Sequence, residues 1–182
     1  MGLWRTLEVP AWLPWTILVL VAAQRFLELL ISRRNTARLL AQGAREVAGG
    51  HYPLLIGLHV LWLGALALWM WPRPPVLNVP CTGAYILLQA ARAWTMLSLG
   101  PYWTTRIITL PGAPLVRRGP YRFIRHPNYA IVILEVAVLP LALGAWPVAV
   151  VFSPLNAIVL GIRIRAENAA LAGRAAVASA TS

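Results

Sequence analysis

The chain has 182 residues, 59% of them hydrophobic and only 12% charged, a balance that excludes an ordinary soluble domain and is typical of a polytopic membrane protein. All sixteen basic residues are arginine, and five acidic residues leave a formal net charge of +11. Because the arginines flank apolar segments, we attribute this charge to membrane orientation and anionic lipid headgroups, and we expect no nucleic-acid partner.

Five apolar segments predict an all-α integral membrane protein that forms one domain over residues 1–182. The predicted transmembrane spans cover about residues 12–31, 52–71, 76–99, 129–143 and 147–162. The polar stretch after the first span is predicted to form a separate amphipathic helix. A short Gly- and Pro-containing link joins the last two spans into a C-terminal helical hairpin. The remaining polar parts are a loop, residues 101–128, and a tail, residues 163–174.

The arginines also predict an orientation in the membrane. Twelve of the sixteen lie in the segments after the first and third spans and in the tail, whereas Arg5 and Arg73 lie on the opposite side. Under the positive-inside rule this places the N-terminus outside and the C-terminus in the cytoplasm. The loop and the tail then share the cytoplasmic face, and the hairpin between them predicts one composite site there.

Metal chemistry finds no support in the residue pattern. Cys81 is the only cysteine, which excludes an internal disulfide and a thiolate cluster. The three histidines, His51, His59 and His126, lie on separate segments without metal-ligand spacing. We therefore expect no metal site, and we expect His51 and His59 to cap and pack the second helix.

The segment RGPYRFIRHPNY, residues 118–129, is the densest run of ring, hydroxyl, amide and guanidinium groups in the chain. Its prolines and Gly119 indicate a loop with a specified shape. In the tail, Arg163 and Glu167 are four residues apart and share a helix face. This pair is open to two interpretations: a surface ion pair, or a guanidinium for an anionic group beside a carboxylate for a hydroxyl or a cation.

Several polar side chains lie inside the predicted spans. They are Gln24, Arg25 and Glu28 in the first span, Gln89 and Arg92 in the third, and Glu135 in the fourth. Ionisable groups in lipid are costly and normally face a bundle interior or a polar cavity. They form either a structural ion-pair network or a polar cavity wall, and we predict that Arg92 and Glu135 pair across facing helices.

The run LGPYWTTRIITLPGAPLVRRGPYRFIRHPNY, residues 99–129, followed by a helical hairpin and RIRAEN, resembles the isoprenylcysteine carboxyl methyltransferase family. The first half, with QRFLELLISRRN and HYP, is similar to a small bacterial branch in which some members O-methylate alkylpyrones made by type III polyketide synthases. The resemblance implies an S-adenosylmethionine-dependent O-methyltransferase with its active site at the cytoplasmic face of the bacterial plasma membrane. The implied acceptor is a carboxylate or an enol or phenol oxygen of a lipophilic or lipid-like molecule. No GxGxxG fingerprint of a soluble cofactor-binding domain occurs in the sequence.

The resemblance also implies roles for individual residues. The implied cofactor-binding residues are Pro114, Leu115, Val116, Tyr121, His126, Pro127, Asn128, Tyr129 and Glu167. Arg163 would bind the acceptor substrate, and Arg163 and Glu167 are the implied catalytic residues. The chain departs from the family pattern at Asn168, where a second glutamate is frequent, and at Ala113, where a histidine is frequent.

Three other functions are weighed against this interpretation. Membrane sterol reductases carry a similar RHPNY-like motif and use NADPH, but they are larger proteins. Phospholipid N-methyltransferases differ from the favoured interpretation only in the acceptor. A non-catalytic membrane scaffold would bind neither S-adenosylhomocysteine nor NADPH.

Overall fold

The computed structural model describes residues 6–47, 50, 52–113 and 116–180, with side chains through residue 169. These residues form five α-helices and four short β-strands. The helices are α1 (Trp12–Ala41), α2 (Tyr52–Met70), α3 (Val79–Leu99), α4 (Pro127–Ala142) and α5 (Trp146–Ala180). The strands are β1 (Thr6–Glu8), β2 (Arg45–Glu46), β3 (Val76–Asn78) and β4 (Ile108–Thr109). The prediction of an all-α protein with a C-terminal helical hairpin is confirmed.

Three of the described helices are long and apolar enough to cross a membrane: α1, α2 and the Trp146–Ala169 part of α5. The apolar helix α4 has 16 residues, fewer than the roughly 20 that a straight span needs. Large apolar side chains remain exposed on the helix surfaces, including Leu61, Leu68 and Leu87. The membrane character of the fold is therefore confirmed, whereas the crossing of the bilayer by all five helices stays a prediction.

Two helices extend beyond the predicted spans. α1 continues without a break to Ala41, so the separate amphipathic helix predicted after the first span is instead the last part of α1. Ser32 and Thr36 are buried there, one and two turns after Glu28, and so the inward-facing side of α1 continues past the apolar run. α5 likewise continues through the predicted tail to Ala180.

Two antiparallel strand pairs tie the ends of the bundle together. β1 pairs with β3, with Leu7 opposite Leu77, and joins the N-terminal segment to the turn between α2 and α3. β2 pairs with β4, with Arg45 opposite Thr109, and joins the link between α1 and α2 to the long loop before α4. This second end of the bundle, with residues 100–126, is called the loop end below.

The helices pack around α4, which lies between α3 and α5, while α2 packs on α5. The apolar core between them includes Trp62, Leu66, Val136, Leu139 and Leu143. α1 lies at the edge of this bundle and contacts α2 and the loop end. Space for a cavity therefore remains between α1 and the other helices.

The hairpin between α4 and α5 depends on Gly144. Its φ of 68° is in the left-handed region, and an added Cβ would lie 2.7 Å from a methyl group of Val76. The N–H of Ala145 donates to the carbonyl of Pro140 at 2.7 Å and closes the turn. This tight turn makes the two helices antiparallel neighbours and brings residues 163–168 of α5 to the start of α4.

Candidate active site

The loop between α3 and α4 is held against the bundle by hydrogen bonds to α1 and α3. Asn35 Nδ2 on α1 donates to the carbonyl of Trp103 at 2.8 Å, and Arg118 Nε donates to the carbonyl of Ser98 at 2.8 Å. Gly119 has a φ of 58° and lies so close to α3 that a Cβ there would overlap the Ser98 side chain. The loop therefore has the fixed shape that its prolines and glycine predict.

Thr105 connects this loop to three helices. Its Oγ1 and its backbone N lie 2.7 and 2.8 Å from Ser32 Oγ on α1. Its Oγ1 also lies 3.1 Å from the Tyr52 hydroxyl on α2. Its carbonyl accepts a hydrogen bond from Arg163 Nη2 on α5 at 2.5 Å. Thr105 thus links α1, α2 and α5 at the loop end.

Arg163 and Glu167 are linked through the hydroxyl of Tyr129. Arg163 Nε donates to that hydroxyl at 2.8 Å, and the hydroxyl donates to Glu167 Oε2. Arg163 is only 6% exposed, which excludes the surface position of the simple ion-pair interpretation. Within the described residues the two side chains form no direct salt bridge. The arrangement instead fixes the guanidinium and presents the other carboxylate oxygen, Glu167 Oε1, to the site.

His126 is fixed by the residues of α5 next to Glu167. Its Nε2 lies 3.0 Å from Asn168 Oδ1, and its Nδ1 lies 3.7 Å from Glu167 Oε1. Its ring also packs on that of Tyr129, with 5.5 Å between the centroids. Since an amide oxygen only accepts hydrogen bonds, the proton in the first contact lies on Nε2. Asn168, one of the two departures from the family pattern, thus orients the histidine.

Two further residues of the motif contribute polar atoms. Burial, together with the negative charge of Glu167, raises the pKa of the Tyr121 hydroxyl above its ordinary value, so this phenol stays protonated and can donate. Asn128 Oδ1 is buried and has no hydrogen-bond partner among the described residues. A buried polar atom of this kind is costly without a partner, and a ligand can supply one.

A single cavity of about 770 Å³ connects these residues with the interior of the bundle. Its volume lies in the range of ligand-binding pockets. At the loop end it is lined by Val116, Tyr121, His126, Asn128, Tyr129, Arg163 and Glu167. At its deep end it is lined by Arg25, Phe26, Glu28, His59, Val60 and Arg92. The polar groups of the loop and tail therefore share a chamber with apolar side chains of α1 and α2.

The buried charges at the deep end form a closed ring of four side chains. Arg25 contacts Glu28 at 3.2 Å and Glu135 at 2.8 Å. Arg92 contacts Glu135 at 3.0 Å and also pairs with Glu28. The predicted pairing of Arg92 with Glu135 across α3 and α4 is confirmed. Two positive and two negative charges cancel, as burial in a membrane bundle requires.

The sequence left open whether these charges form an ion-pair network or a polar cavity wall, and the ring is both. Two glutamines complete it, since Gln24 Nε2 donates to Glu28 at 3.0 Å and Gln89 Nε2 donates to Glu135 at 2.8 Å. It is an ion-pair network that joins α1, α3 and α4. It is also part of the cavity wall, because three of its four charged residues, Arg25, Glu28 and Arg92, line the cavity.

The comparison with known families decides the identity. The sequence profile of the isoprenylcysteine carboxyl methyltransferase (ICMT) family matches residues 81–173, which include the loop, the α4–α5 hairpin and the Arg163–Glu167 segment. The chain belongs to the ICMT family. Membership of this family, together with the apolar helices, makes it a membrane methyltransferase.

Two bacterial proteins are similar to this ICMT-family chain over most of its length. The uncharacterized protein YpbQ of Bacillus subtilis (strain 168) is 38% identical over 160 residues, which cover 86% of this chain and 95% of the relative. An uncharacterized protein of Haemophilus influenzae is 30% identical over 155 residues, which cover 83% of this chain and 90% of the relative. No solved structure matches the chain.

The structure brings together most of the site residues that the ICMT resemblance implies. Val116, Tyr121, His126, Asn128, Tyr129, Arg163 and Glu167 all line the cavity. Pro127 is buried in the first turn of α4, where its fixed φ suits a helix start. Pro114 and Leu115 lie outside the described residues. The cofactor and substrate roles of all these site residues stay predictions.

Thr105, Tyr52 and Ser32 were missed by the analysis of the sequence. Thr105 and Tyr52 lie in the cavity wall, and Ser32 holds Thr105 in place. One signal was available, because Glu28, Ser32 and Thr36 follow one another at four-residue intervals and form a polar stripe on α1. Such a stripe on an otherwise apolar helix indicates a face that packs against polar groups.

Proposed function

We propose that this ICMT-family protein transfers a methyl group from S-adenosylmethionine to an oxygen atom of a lipophilic acceptor. The supporting observation is the one cavity that joins the polar loop-end residues to an apolar wall open to the lipid side. Phe26 on α1 and Val60 on α2 line this cavity and are nevertheless each 62% exposed. A water-soluble cofactor could therefore enter this cavity at the loop end, and a lipid-soluble acceptor could enter it between α1 and α2.

The loop-end residues fit the chemistry of S-adenosylmethionine. The cofactor has hydroxyl and amino groups that donate hydrogen bonds, and Glu167 Oε1 and the buried Asn128 Oδ1 are acceptors for such groups. The protonated Tyr121 hydroxyl is a donor beside them. We assign the cofactor to Tyr121, His126, Pro127, Asn128, Tyr129 and Glu167, with the run of Pro114, Leu115 and Val116 next to them.

The reaction needs positioning more than acid–base chemistry. The cofactor supplies an electrophilic methyl group on a positively charged sulfur. The protein has to align the acceptor oxygen with this group and exclude water, which can contribute several kcal/mol to the lowering of the barrier. Arg163 suits this task, since its hydrogen bonds to Tyr129 and Thr105 fix the guanidinium at the cavity wall. There it would orient an acceptor oxygen that carries or develops negative charge.

The lining of the cavity supports the proposed acceptor class. A lipophilic molecule with a carboxylate or an enol or phenol oxygen would place its polar end toward Arg163 and its apolar part against α1 and α2. An alkylpyrone or an isoprenylcysteine-like molecule has this character. The twelve arginines near the loop end would place this end of the protein at the cytoplasmic face of the plasma membrane.

Ligand-induced stabilisation tests the cofactor. At 100-fold its dissociation constant, S-adenosylhomocysteine should stabilise the detergent-solubilised protein by about 2.7 kcal/mol, whereas NADPH should leave the melting temperature unchanged. His126→Ala should remove most of the shift, and Arg33→Ala, on the exposed side of α1, should not. Absence of a shift with saturating S-adenosylhomocysteine would refute the proposal, and a shift with NADPH alone would indicate a reductase.

A methyl-transfer assay tests the acceptor. The purified protein is incubated with cofactor labelled in the methyl group and with a bacterial lipid extract, and the labelled products are separated and identified. We expect label on the oxygen of a lipophilic product. Label on the nitrogen of a phospholipid headgroup would instead support the N-methyltransferase alternative.

A further inference from the structure

Ser32 is a buried serine of α1 that contacts the cavity wall without being part of it. Its exposed fraction is only 2%. It is not one of the residues that line the cavity, whereas Thr105, which it contacts, is. A ligand in the cavity therefore meets Thr105 and not Ser32, and any effect of Ser32 on the reaction has to pass through another residue.

The hydrogen bonds of Ser32 are directed away from its own helix. Serine and threonine hydroxyls inside helices can donate to the carbonyl four residues earlier, and the buried Thr95 and Ser98 on α3 do so at 2.8 Å each. Ser32 Oγ instead accepts the backbone N–H of Thr105 at 2.8 Å and lies 2.7 Å from its Oγ1. Ser32 thus holds both the backbone and the side chain of Thr105.

The carbonyl of Thr105 is held from both directions along the chain. Ser32 holds the N–H and the side chain of this residue. Two residues later, the carbonyl of Ile107 accepts from the N–H of Val47 at 2.9 Å, next to the β2–β4 pair. The Thr105 carbonyl between these two anchors therefore has a fixed direction. It accepts a hydrogen bond from Arg163 Nη2 at 2.5 Å.

This carbonyl is the second of two anchors for the Arg163 guanidinium. The first is the Tyr129 hydroxyl, which accepts from Nε at 2.8 Å. A guanidinium is planar, so a bond at Nε alone leaves it free to rotate about that bond, whereas a second bond at Nη2 fixes its plane. Among the described residues none accepts a hydrogen bond from Nη1, and Arg163 lines the cavity. Nη1 is therefore the nitrogen left for the acceptor.

We propose that Ser32 is a positioning residue for methyl transfer: by holding Thr105, it sets the direction in which Arg163 presents Nη1 to the acceptor oxygen. The transfer requires this oxygen to be in line with the bond between the methyl group and the sulfur, and a misplacement of about 1 Å can lower the rate about 100-fold. This inference rests on the proposed function, because it adds a residue to the acceptor site assigned there.

A double-substitution experiment separates positioning from a general loss of stability. The initial rate of label transfer from methyl-labelled S-adenosylmethionine into a bacterial lipid extract is measured with the full-length protein. Ser32→Ala should lower this rate about ten- to hundredfold and change the affinity for S-adenosylhomocysteine less than about twofold. In the Arg163→Lys background, Ser32→Ala should lower the rate less than about twofold, because the guanidinium that Ser32 positions is already absent.

Two further variants test the role of the hydroxyl. Ser32→Thr keeps the hydroxyl and should retain more of the rate than Ser32→Ala. Ser98→Ala is the matched control, since Ser98 is also a buried serine but its hydroxyl donates within α3. This control should leave the rate unchanged to within about twofold, because it removes no contact to Thr105.

The orientation of Arg163 can also be measured without turnover. NMR spectra of the protein with ¹⁵N-labelled arginine are recorded in micelles, and Arg163→Lys identifies the signals of Arg163. In the wild type, the two anchors should hinder rotation and keep the Nη hydrogens of Arg163 resolved. In Ser32→Ala these signals should merge, and in Ser98→Ala they should stay resolved. The signals of Arg25 and Arg92, held in the buried charge ring, show whether a change is local to Arg163.

The outcomes separate this inference from the proposed function. An equal fall in rate for Ser32→Ala in both backgrounds would overturn it, as would Arg163 signals that stay resolved in Ser32→Ala. Merged Arg163 signals in the wild type would do the same even if Ser32→Ala fails to fold. A wild type that neither binds S-adenosylhomocysteine nor transfers label would refute the proposed function, and the NMR comparison would still decide whether Ser32 positions Arg163.

Discussion

The hydroxyl of Tyr129 on α4 donates a hydrogen bond to the carboxylate of Glu167 on α5. The same hydroxyl accepts a hydrogen bond from Arg163, so one oxygen atom joins the two charged residues of α5. This contact fastens the two helices of the C-terminal hairpin at the loop end. It also holds the two proposed catalytic side chains at a fixed separation.

Tyr129→Phe should destabilise the protein and weaken cofactor binding. Loss of the hydroxyl leaves the buried Arg163 Nε without an acceptor, which costs about 1–3 kcal/mol of the free energy of unfolding. Denaturation in mixed micelles measures the loss, and calorimetry with S-adenosylhomocysteine measures the binding. Tyr102→Phe, at a partly exposed tyrosine of the loop before α4, is the control and should have little effect. Similar results for both substitutions would contradict the linking role of Tyr129.

The two charged residues of α5 should have separable roles. Glu167→Gln should weaken S-adenosylhomocysteine binding about tenfold, because it removes a charged hydrogen-bond acceptor from the cofactor site. Arg163→Lys should leave that affinity nearly unchanged while methyl transfer falls, since lysine lacks the rigid fork of arginine. Calorimetry and the labelled-methyl assay measure the two effects. Arg165→Lys, at an exposed arginine on the same helix, is the control. Small and equal effects from the first two substitutions would remove Arg163 and Glu167 from the site.

The buried charge ring should show strong energetic coupling. Arg92→Ala leaves two carboxylates with one arginine and should cost about 3–5 kcal/mol of the free energy of unfolding. The double replacement with Glu135→Ala restores a neutral pair and should recover about 1–3 kcal/mol of this loss. The control cycle combines Arg92→Ala with Leu87→Ala, at an exposed position of α3, and the two losses of stability should add. Additive losses in both cycles would mean that Arg92 and Glu135 are not coupled.

Gly119→Ala should distort the loop more than the matched substitution Gly112→Ala. Both glycines have positive φ, so each alanine costs about 1–2 kcal/mol of backbone strain. Only the Cβ at residue 119 would overlap Ser98, since nothing lies within 4 Å of a Cβ at residue 112. We expect a larger loss of stability for Gly119→Ala, and a partial recovery when Ser98 is also replaced by glycine. Equal losses for the two alanine variants would show that the close approach to α3 has no energetic consequence.

The arginine distribution predicts the orientation of the protein in its membrane. A reporter fused after Ser182 should be cytoplasmic, and one fused before Met1 should be outside, because twelve of the sixteen arginines flank the loop end. Paired enzyme reporters that are active on opposite sides of the membrane provide the measurement. Both ends on the same side would mean an even number of crossings, and α4, with its 16 residues, is then the first helix to re-examine.

Features that depend on local chemistry were predictable from the sequence. The lengths of the apolar segments predict the helices, and the Gly- and Pro-containing link at residues 144–147 predicts the hairpin, because both properties reside in neighbouring residues. The dense motif at residues 118–129 also indicates the loop end without any three-dimensional information. Even the pairing of Arg92 with Glu135 was predictable, since an isolated charge inside a membrane bundle is too costly to persist.

The pairing of the polar groups at the loop end depends on the tertiary structure. The sequence spacing of Arg163 and Glu167 predicts a shared helix face, but not that Tyr129, on another helix, lies between them. The sequence likewise does not specify that the backbone N–H of Thr105 donates to Ser32 and that its carbonyl accepts from Arg163. Such contacts have no sequence period, because they depend on how the helices pack and not on the conformation of any one helix.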